Sequence, residues 1–161
     1  MKFERGTIEG VQVRPLSKYV DERGFLVETF RNDSLPEGLT PVMSYVSYTE
    51  PDTARGPHEH EQQTDIFAFL GPGNFKICLW DNRGSSPSFG KKMTLFAGAD
   101  NPSSVVVPPG VVHAYRNISK TERGMVLNYP DRLFAGRQKK EPVDEIRHED
   151  DKDTFYQDFL H

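Results

Sequence analysis

The chain has 161 residues, a formal net charge of −4 and one cysteine, Cys78. That length suits one domain, 1–161, with a core of its own. The acidic balance excludes a footprint for duplex nucleic acid or anionic lipid, and the lone cysteine excludes an internal disulfide framework. No run of about 18 apolar residues occurs and Met1–Gly6 lacks an apolar leader, so a soluble, cytoplasmic chain with no membrane segment is expected.

Along the chain the pattern is strand-like, with 13 Gly and 12 Pro as punctuation. After the turn signal Asp21-Glu22-Arg23-Gly24, the run Phe25–Phe30 predicts a strand, and Val42–Tyr48 predicts another, broken at Glu50-Pro51-Asp52. Ile66–Leu70 ends at Gly71-Pro72-Gly73. Phe75–Trp80 follows, with Phe75, Ile77 and Leu79 on one face. Asp81–Pro87 reads as a loop, and Met93–Phe96, Ser104–Val107, Val111–Tyr115 and Met125–Tyr129 complete the series. Strands at this spacing predict an all-β sandwich or barrel. Helical turns are expected only near Asn32–Glu37 and in the last twenty residues. The charged stretch Asp144–Asp153 reads as a solvated surface, and Cys78, in an apolar strand, as a small core residue.

Two groups of residues carry chemistry. In Gly56-Pro57-His58-Glu59-His60 the two histidines are two apart, so on a strand they share a face, while Glu59 and Glu61 face away. With Asp65 five residues on, they offer two imidazoles and a carboxylate, a set suited to Fe, Mn, Ni or Zn. Pro108-Pro109-Gly110 then predicts a tight turn that delivers His113 at a defined height in the next strand. Taken alone, the histidines also fit a hydrogen-bonded polar pocket.

The two segments together resemble the paired signature motifs of the cupin superfamily, with Asp65 standing where those motifs have Glu. The resemblance implies a double-stranded β-helix (cupin jelly roll) and a metal held by His58, His60, Asp65 and His113. Asp21-Glu22-Arg23-Gly24-Phe25 through Glu28, Arg55-Gly56-Pro57-His58, Asp81-Asn82-Arg83 and Ser86-Pro87-Ser88-Phe89-Gly90 resemble the dTDP-4-dehydrorhamnose 3,5-epimerase family over about residues 6–136.

That second resemblance implies a homodimer acting on a nucleotide-diphosphate 4-keto-6-deoxy sugar, with no cofactor required. His58 would be the base that removes a proton beside the C4 ketone. Arg23 and Arg55 would contact the diphosphate, Phe25 the nucleotide, and Glu28 and His113 the substrate. Several positions differ from the family. Its oxyanion-stabilising lysine aligns with Asp65, and two pocket amides align with Met43 and Tyr45. Its acidic tyrosine aligns with Leu127, or with Tyr129 after a two-residue slip. Asp144 is a candidate partner for the catalytic histidine. A divalent metal polarising the ketone would replace the missing lysine; a non-catalytic sugar-nucleotide binder is a further alternative.

Overall fold

The computed structural model describes residues 2–156 and Phe159. Thirteen strands are described: β1 (Glu4–Arg5), β2 (Gln12–Pro15), β3 (Lys18–Asp21), β4 (Gly24–Val27), β5 (Tyr45–Thr49), β6 (Ala54–Glu59), β7 (Asp65–Phe69), β8 (Asn74–Asp81), β9 (Lys91–Gly98), β10 (Ser103–Val107), β11 (Val111–Asn117), β12 (Gly124–Asn128) and β13 (Ile146–Arg147). They form a six-stranded sheet, β1-β9-β8-β11-β6-β13, a five-stranded sheet, β2-β10-β7-β12-β5, and the separate hairpin β3-β4. This is the jelly-roll double-stranded β-helix, all-β as the composition predicts.

The expected strands are present with shifted ends, and β1, β2, β3 and β13 are additions that short, polar runs did not signal. A 3-10 turn occupies Asn32–Ser34 as expected. In the last twenty residues, where a helical turn is expected, those up to Tyr156 make β13 and turns and Phe159 has 3-10 conformation; Gln157, Asp158, Leu160 and His161 lie outside the described residues.

Alternation sets the core. Phe75, Ile77 and Leu79 of β8 face the five-stranded sheet and pack with Phe67, Phe69, Val105 and Val126. The opposite face of β8 and β11 carries Cys78, Trp80, Val112 and Ala114, which Tyr156 and Phe159 cover. Burial on both faces explains why these strands read as continuous apolar runs. Cys78 is a small core residue, 1% exposed.

One irregularity positions the site. β6 and β11 pair antiparallel with His58 opposite His113 and Arg55 opposite Tyr115, so β6 has an extra residue between these pairs. Such a bulge bends the strand and re-aims its side chains. Gly56 occupies it with φ +79, and a Cβ there would lie 2.5 Å from the His113 carbonyl oxygen, so only glycine fits.

Beyond β8 the chain is fixed by Asp81, which is fully buried. Its Oδ1 accepts from the Arg83 Nε at 2.8 Å, and its Oδ2 accepts from Arg83 Nη2, Ser86 Oγ and Ser88 Oγ at 2.8, 2.6 and 2.5 Å. Burial alone would raise this carboxyl's pKa; the guanidinium and the two hydroxyls outweigh it and hold it well below the usual range. The Asp-Asn-Arg and Ser-Pro-x-Phe-Gly segments of the sequence are therefore one structural knot.

Candidate active site

The two sheets diverge at one end into a cleft of about 1150 Å3. His58 and His60 line it; His113, on the six-stranded sheet, and Asp65, at the first position of β7 in the other sheet, are buried at 2% and 1% exposure and do not reach its surface. His60 follows the end of β6. One ligand-type atom from each of the four lies within 4.8 Å of all the others. The Asp65 Oδ2 is 3.2 Å from the Nε2 of both His60 and His113. The sequence spacing thus converts into the expected cluster.

Each member has a distinct environment. The Pro108–Gly110 turn forms, with Val111 N donating to Pro108 O at 3.3 Å and Gly110 N donating to His60 O at 2.8 Å. His113 is 2% exposed, and its Nδ1 donates to the Val111 carbonyl at 3.0 Å. His60 Nδ1 donates to the Asp144 carbonyl. Asp65 Oδ1 accepts from the amides of Gln63 and Asn128, each at 2.9 Å. Burial opposes ionisation of Asp65, but His113 and His60 outweigh it and hold the carboxyl well below its ordinary pKa. Burial likewise opposes charge on His60; the hydrogen bond and charge of Asp65, then Asp144, raise it to about 9.

His58 differs from these. Its Nδ1 is buried without a hydrogen-bond partner. That nitrogen faces Glu145 Oε1 at 3.8 Å and Glu149 Oε2 at 3.9 Å, and the Glu149 oxygen is itself unpartnered. Burial, then His113 and His60, push the His58 pKa down to about 2, so the ring is neutral with a free lone pair. Closing the gap to Glu149 would raise its basicity.

Other expectations change. Asp144 does not partner His58: its carboxylate accepts from the backbone N–H groups of Glu61, Gln62 and Gln63 at 2.8, 3.0 and 2.9 Å. The charged stretch from Asp144 is solvated only in part. Ile146, Arg147 and residues 150–153 are exposed, while Asp144, Glu145, His148 and Glu149 are half-buried. β13 pairs with β6, and His148 Nε2 donates to Glu59 Oε1 at 2.8 Å. Glu59 does face away from the histidine pair, as expected.

Tyr129 does not reach the cleft. Val126 and Asn128 take the inward positions of β12, so Tyr129 has the outward parity; its hydroxyl meets Thr29 Oγ1 at 2.8 Å and its ring packs on Phe30. Two phenols line the cleft, Tyr115, whose hydroxyl meets Ser47 Oγ at 3.3 Å, and Tyr45, which stands directly opposite Asn128 in the β5–β12 register. The Asn128 Nδ2 donates to Tyr45 Oη at 2.7 Å and also to Asp65. Burial, then the Asp65 charge, raises the Tyr45 pKa, so this hydroxyl keeps its proton. Its signal in the sequence was the departure from an amide at that position.

Among the arginines, Arg55 lines the cleft, with its Nη2 on Tyr48 O at 2.8 Å and its Nε on Thr49 Oγ1 at 3.2 Å. Arg132 and Arg147 line it too, whereas no lysine does among the described residues; Leu133–Gly136 forms part of its rim. Arg23, Phe25 and Glu28 are not brought to this chain's cleft. Arg23 pairs with Asp21 and is 83% exposed at its side chain, and Phe25 lies under Lys18 on the β3-β4 hairpin. Glu28 lies with Arg31 at a separate small groove.

A family model described as dTDP-4-dehydrorhamnose 3,5-epimerase matches residues 5–135. The chain belongs to the dTDP-4-dehydrorhamnose 3,5-epimerase family. It is 34% identical to the spore coat polysaccharide biosynthesis protein SpsL of Bacillus subtilis, over 71% of this chain and 74% of that one. It is 35% identical to the probable low-salt glycan biosynthesis epimerase Agl13 of Haloferax volcanii, over 79% and 81%. The solved dTDP sugar isomerase of Desulfovibrio desulfuricans superposes with a TM-score of 0.77 at 25% identity, covering 90% of this chain and 87% of that one.

Proposed function

We propose that this protein epimerises a nucleoside-diphosphate 4-keto-6-deoxy sugar, using His58 to remove a proton beside the C4 ketone. The observation that carries this reading is the neutral, unpartnered His58 at the floor of a cleft whose wall holds Arg55, Arg132 and Arg147. A carbon acid next to a ketone needs a base with a free lone pair and a pKa near the working pH. The lowered pKa of His58 therefore has to rise as Glu149, 3.9 Å from its Nδ1, closes on it. A diphosphate needs guanidinium forks. The cleft is also large enough for a ligand of nucleotide-sugar size.

Tyr45 takes the role of proton donor in place of Tyr129. Its hydroxyl is held by Asn128 on the inner face of the opposite sheet, while His58 stands on the six-stranded sheet, so a sugar ring between them meets a base on one side and an acid on the other. Glu149 is the positioning carboxylate for His58. The chemistry itself is proton transfer and calls for no redox or group-transfer cofactor. The composition suits work in the cytoplasm.

Arg23 and Phe25 act in the cleft of a second copy. The β3-β4 hairpin exposes Tyr19, Val20, Phe25 and Leu26 at 65, 76, 55 and 65%. A two-stranded ribbon so exposed is marginal unless something packs on it. A two-fold dimer, with the hairpin of each copy over the other's cleft, covers these side chains and carries Arg23 to the diphosphate.

The direct assay is turnover of a dTDP-4-keto-6-deoxyhexose, with epimers resolved by NMR; a C3 or C5 epimer is expected, and unchanged substrate would sink the reading for that sugar. Mixing the inactive variants Arg23→Ala and His58→Asn tests the exchange of hairpins. Random reassortment restores about a quarter of the sites, because one site of each mixed dimer is then complete. No recovery would place Arg23 outside a shared site.

A further inference from the structure

Asn128 is fully buried at the end of β12, between β5 and β7, and both polar atoms of its side chain are engaged. Its Oδ1 accepts from the Ile66 N–H at 3.1 Å, and its Nδ2 donates to Asp65 Oδ1 at 2.9 Å and to Tyr45 Oη at 2.7 Å. These contacts fix which way the amide faces. Turned over, it would set its NH2 against the Ile66 N–H and its carbonyl against the Asp65 carboxylate, stranding buried donors and acceptors alike. The carboxylate at position 65 is part of this device, because a donor there would favour the opposite orientation.

The polarity of the amide then settles that of the phenol. The NH2 of an asparagine only donates, so Tyr45 Oη is the acceptor in its contact with Asn128. The hydroxyl proton of Tyr45 is not spent on Asn128 and is free to turn to the cleft that Tyr45 lines. Tyr115 has no such constraint: its hydroxyl meets that of Ser47 at 3.3 Å, where either oxygen can donate.

We propose that Asn128 is the positioning residue of the proton donor: it holds Tyr45 Oη as an acceptor, which directs the O–H into the cleft and keeps an N–H in place for the phenolate formed when the proton leaves. The role rests on the epimerase reading with Tyr45 as the acid. In that step the enolate carbon takes the Tyr45 proton with its own electron pair, so a C–H bond forms as the O–H bond breaks. The negative charge passes to Tyr45 Oη, where the Asn128 N–H already stands and meets it without rearrangement. Water returns a proton to the phenolate, and His58 releases the one it took.

The test is the fate of a dTDP-4-keto-6-deoxyhexose in deuterated water. Asn128→Asp keeps an acceptor for the Ile66 N–H but turns an oxygen toward Tyr45, whose hydroxyl then donates to it and away from the cleft. Epimer formation is expected to fall roughly 10²-fold in kcat, the scale of losing one preorganised donor to a developing charge, with KM near the wild-type value. Deuterium is expected to enter the unepimerised sugar at close to the wild-type rate, because His58 is untouched. In a Tyr45→Phe background the same substitution is expected to add no further loss, since the two residues act as one unit.

A parallel fall of deuterium entry and epimer, or a further loss in the Tyr45→Phe background, would mark a merely structural role and overturn the proposal. Epimer formation by Tyr45→Phe at the wild-type rate would overturn the acid itself, whereas a defect there with none in Asn128→Asp overturns the role of Asn128 alone. Should Asn128→Asp fail to fold, neutron diffraction from wild-type crystals exchanged into deuterated water reads the arrangement directly. The Asn128 deuterons are expected on Tyr45 Oη and Asp65 Oδ1, with the Tyr45 deuteron turned to the cleft; a Tyr45 deuteron aimed at Asn128 would overturn the proposal.

Discussion

Replacing His58 by asparagine is expected to lower kcat by roughly 10²–10⁴-fold, the usual contribution of a positioned general base. Nucleotide affinity, measured by calorimetry with dTDP, is expected to stay near that of the wild type, because the arginines that hold the diphosphate are untouched. Structural side effects should be small. The His58 Nδ1 makes no hydrogen bond, so its loss leaves no donor or acceptor stranded in the fold. Its nearest ring neighbour is His113, at 4.4 Å between centroids. Wild-type turnover in this variant would move the base to another residue.

The second large effect lies away from the chemistry. Asp81→Ala is expected to lower the unfolding free energy by about 3–5 kcal/mol, as when one partner of a buried ion pair is removed. The Arg83 guanidinium and the hydroxyls of Ser86 and Ser88 all donate to that carboxylate, and Ser88 is itself buried. Because the folded state depresses the Asp81 pKa, its contribution is present above the unfolded value of about 3.9 and is lost as pH falls. Urea unfolding at neutral pH measures the difference, and a loss below about 1 kcal/mol would mean that the loop folds without the knot.

What the sequence made legible was local. His58, His60 and Asp65 are close along the chain, so period-two spacing brought them together, and the Pro108–Gly110 turn sets the height of His113, while the grouping of all four came from the resemblance to the cupin motifs. Tyr129 shows the limit. Alternation placed it on one face with Leu127, but which face is inward depends on Asn128, which reaches across to Asp65, and on Phe30, a hundred residues away in the chain.

The tail shows a second limit. Charge composition from Asp144 to Asp153 resembles a solvated surface, yet Asp144 holds three backbone N–H groups and β13 brings Glu149 toward His58. Composition carries no information about which donors a carboxylate will meet. Arg23 and Phe25 mark a third, since one chain alone gives the hairpin no cleft to enter.

The central claim is that His58 exchanges a substrate C–H proton and that Tyr45 returns one. Incubating a dTDP-4-keto-6-deoxyhexose with the protein in deuterated water, and following C3 and C5 by NMR, tests it most directly. Wild type is expected to place deuterium in the epimerised product, while Tyr45→Phe washes deuterium into the sugar yet forms epimer much more slowly, and His58→Asn does neither. Deuterium entry at an undiminished rate in His58→Asn, or none in the wild type, would contradict the assignment.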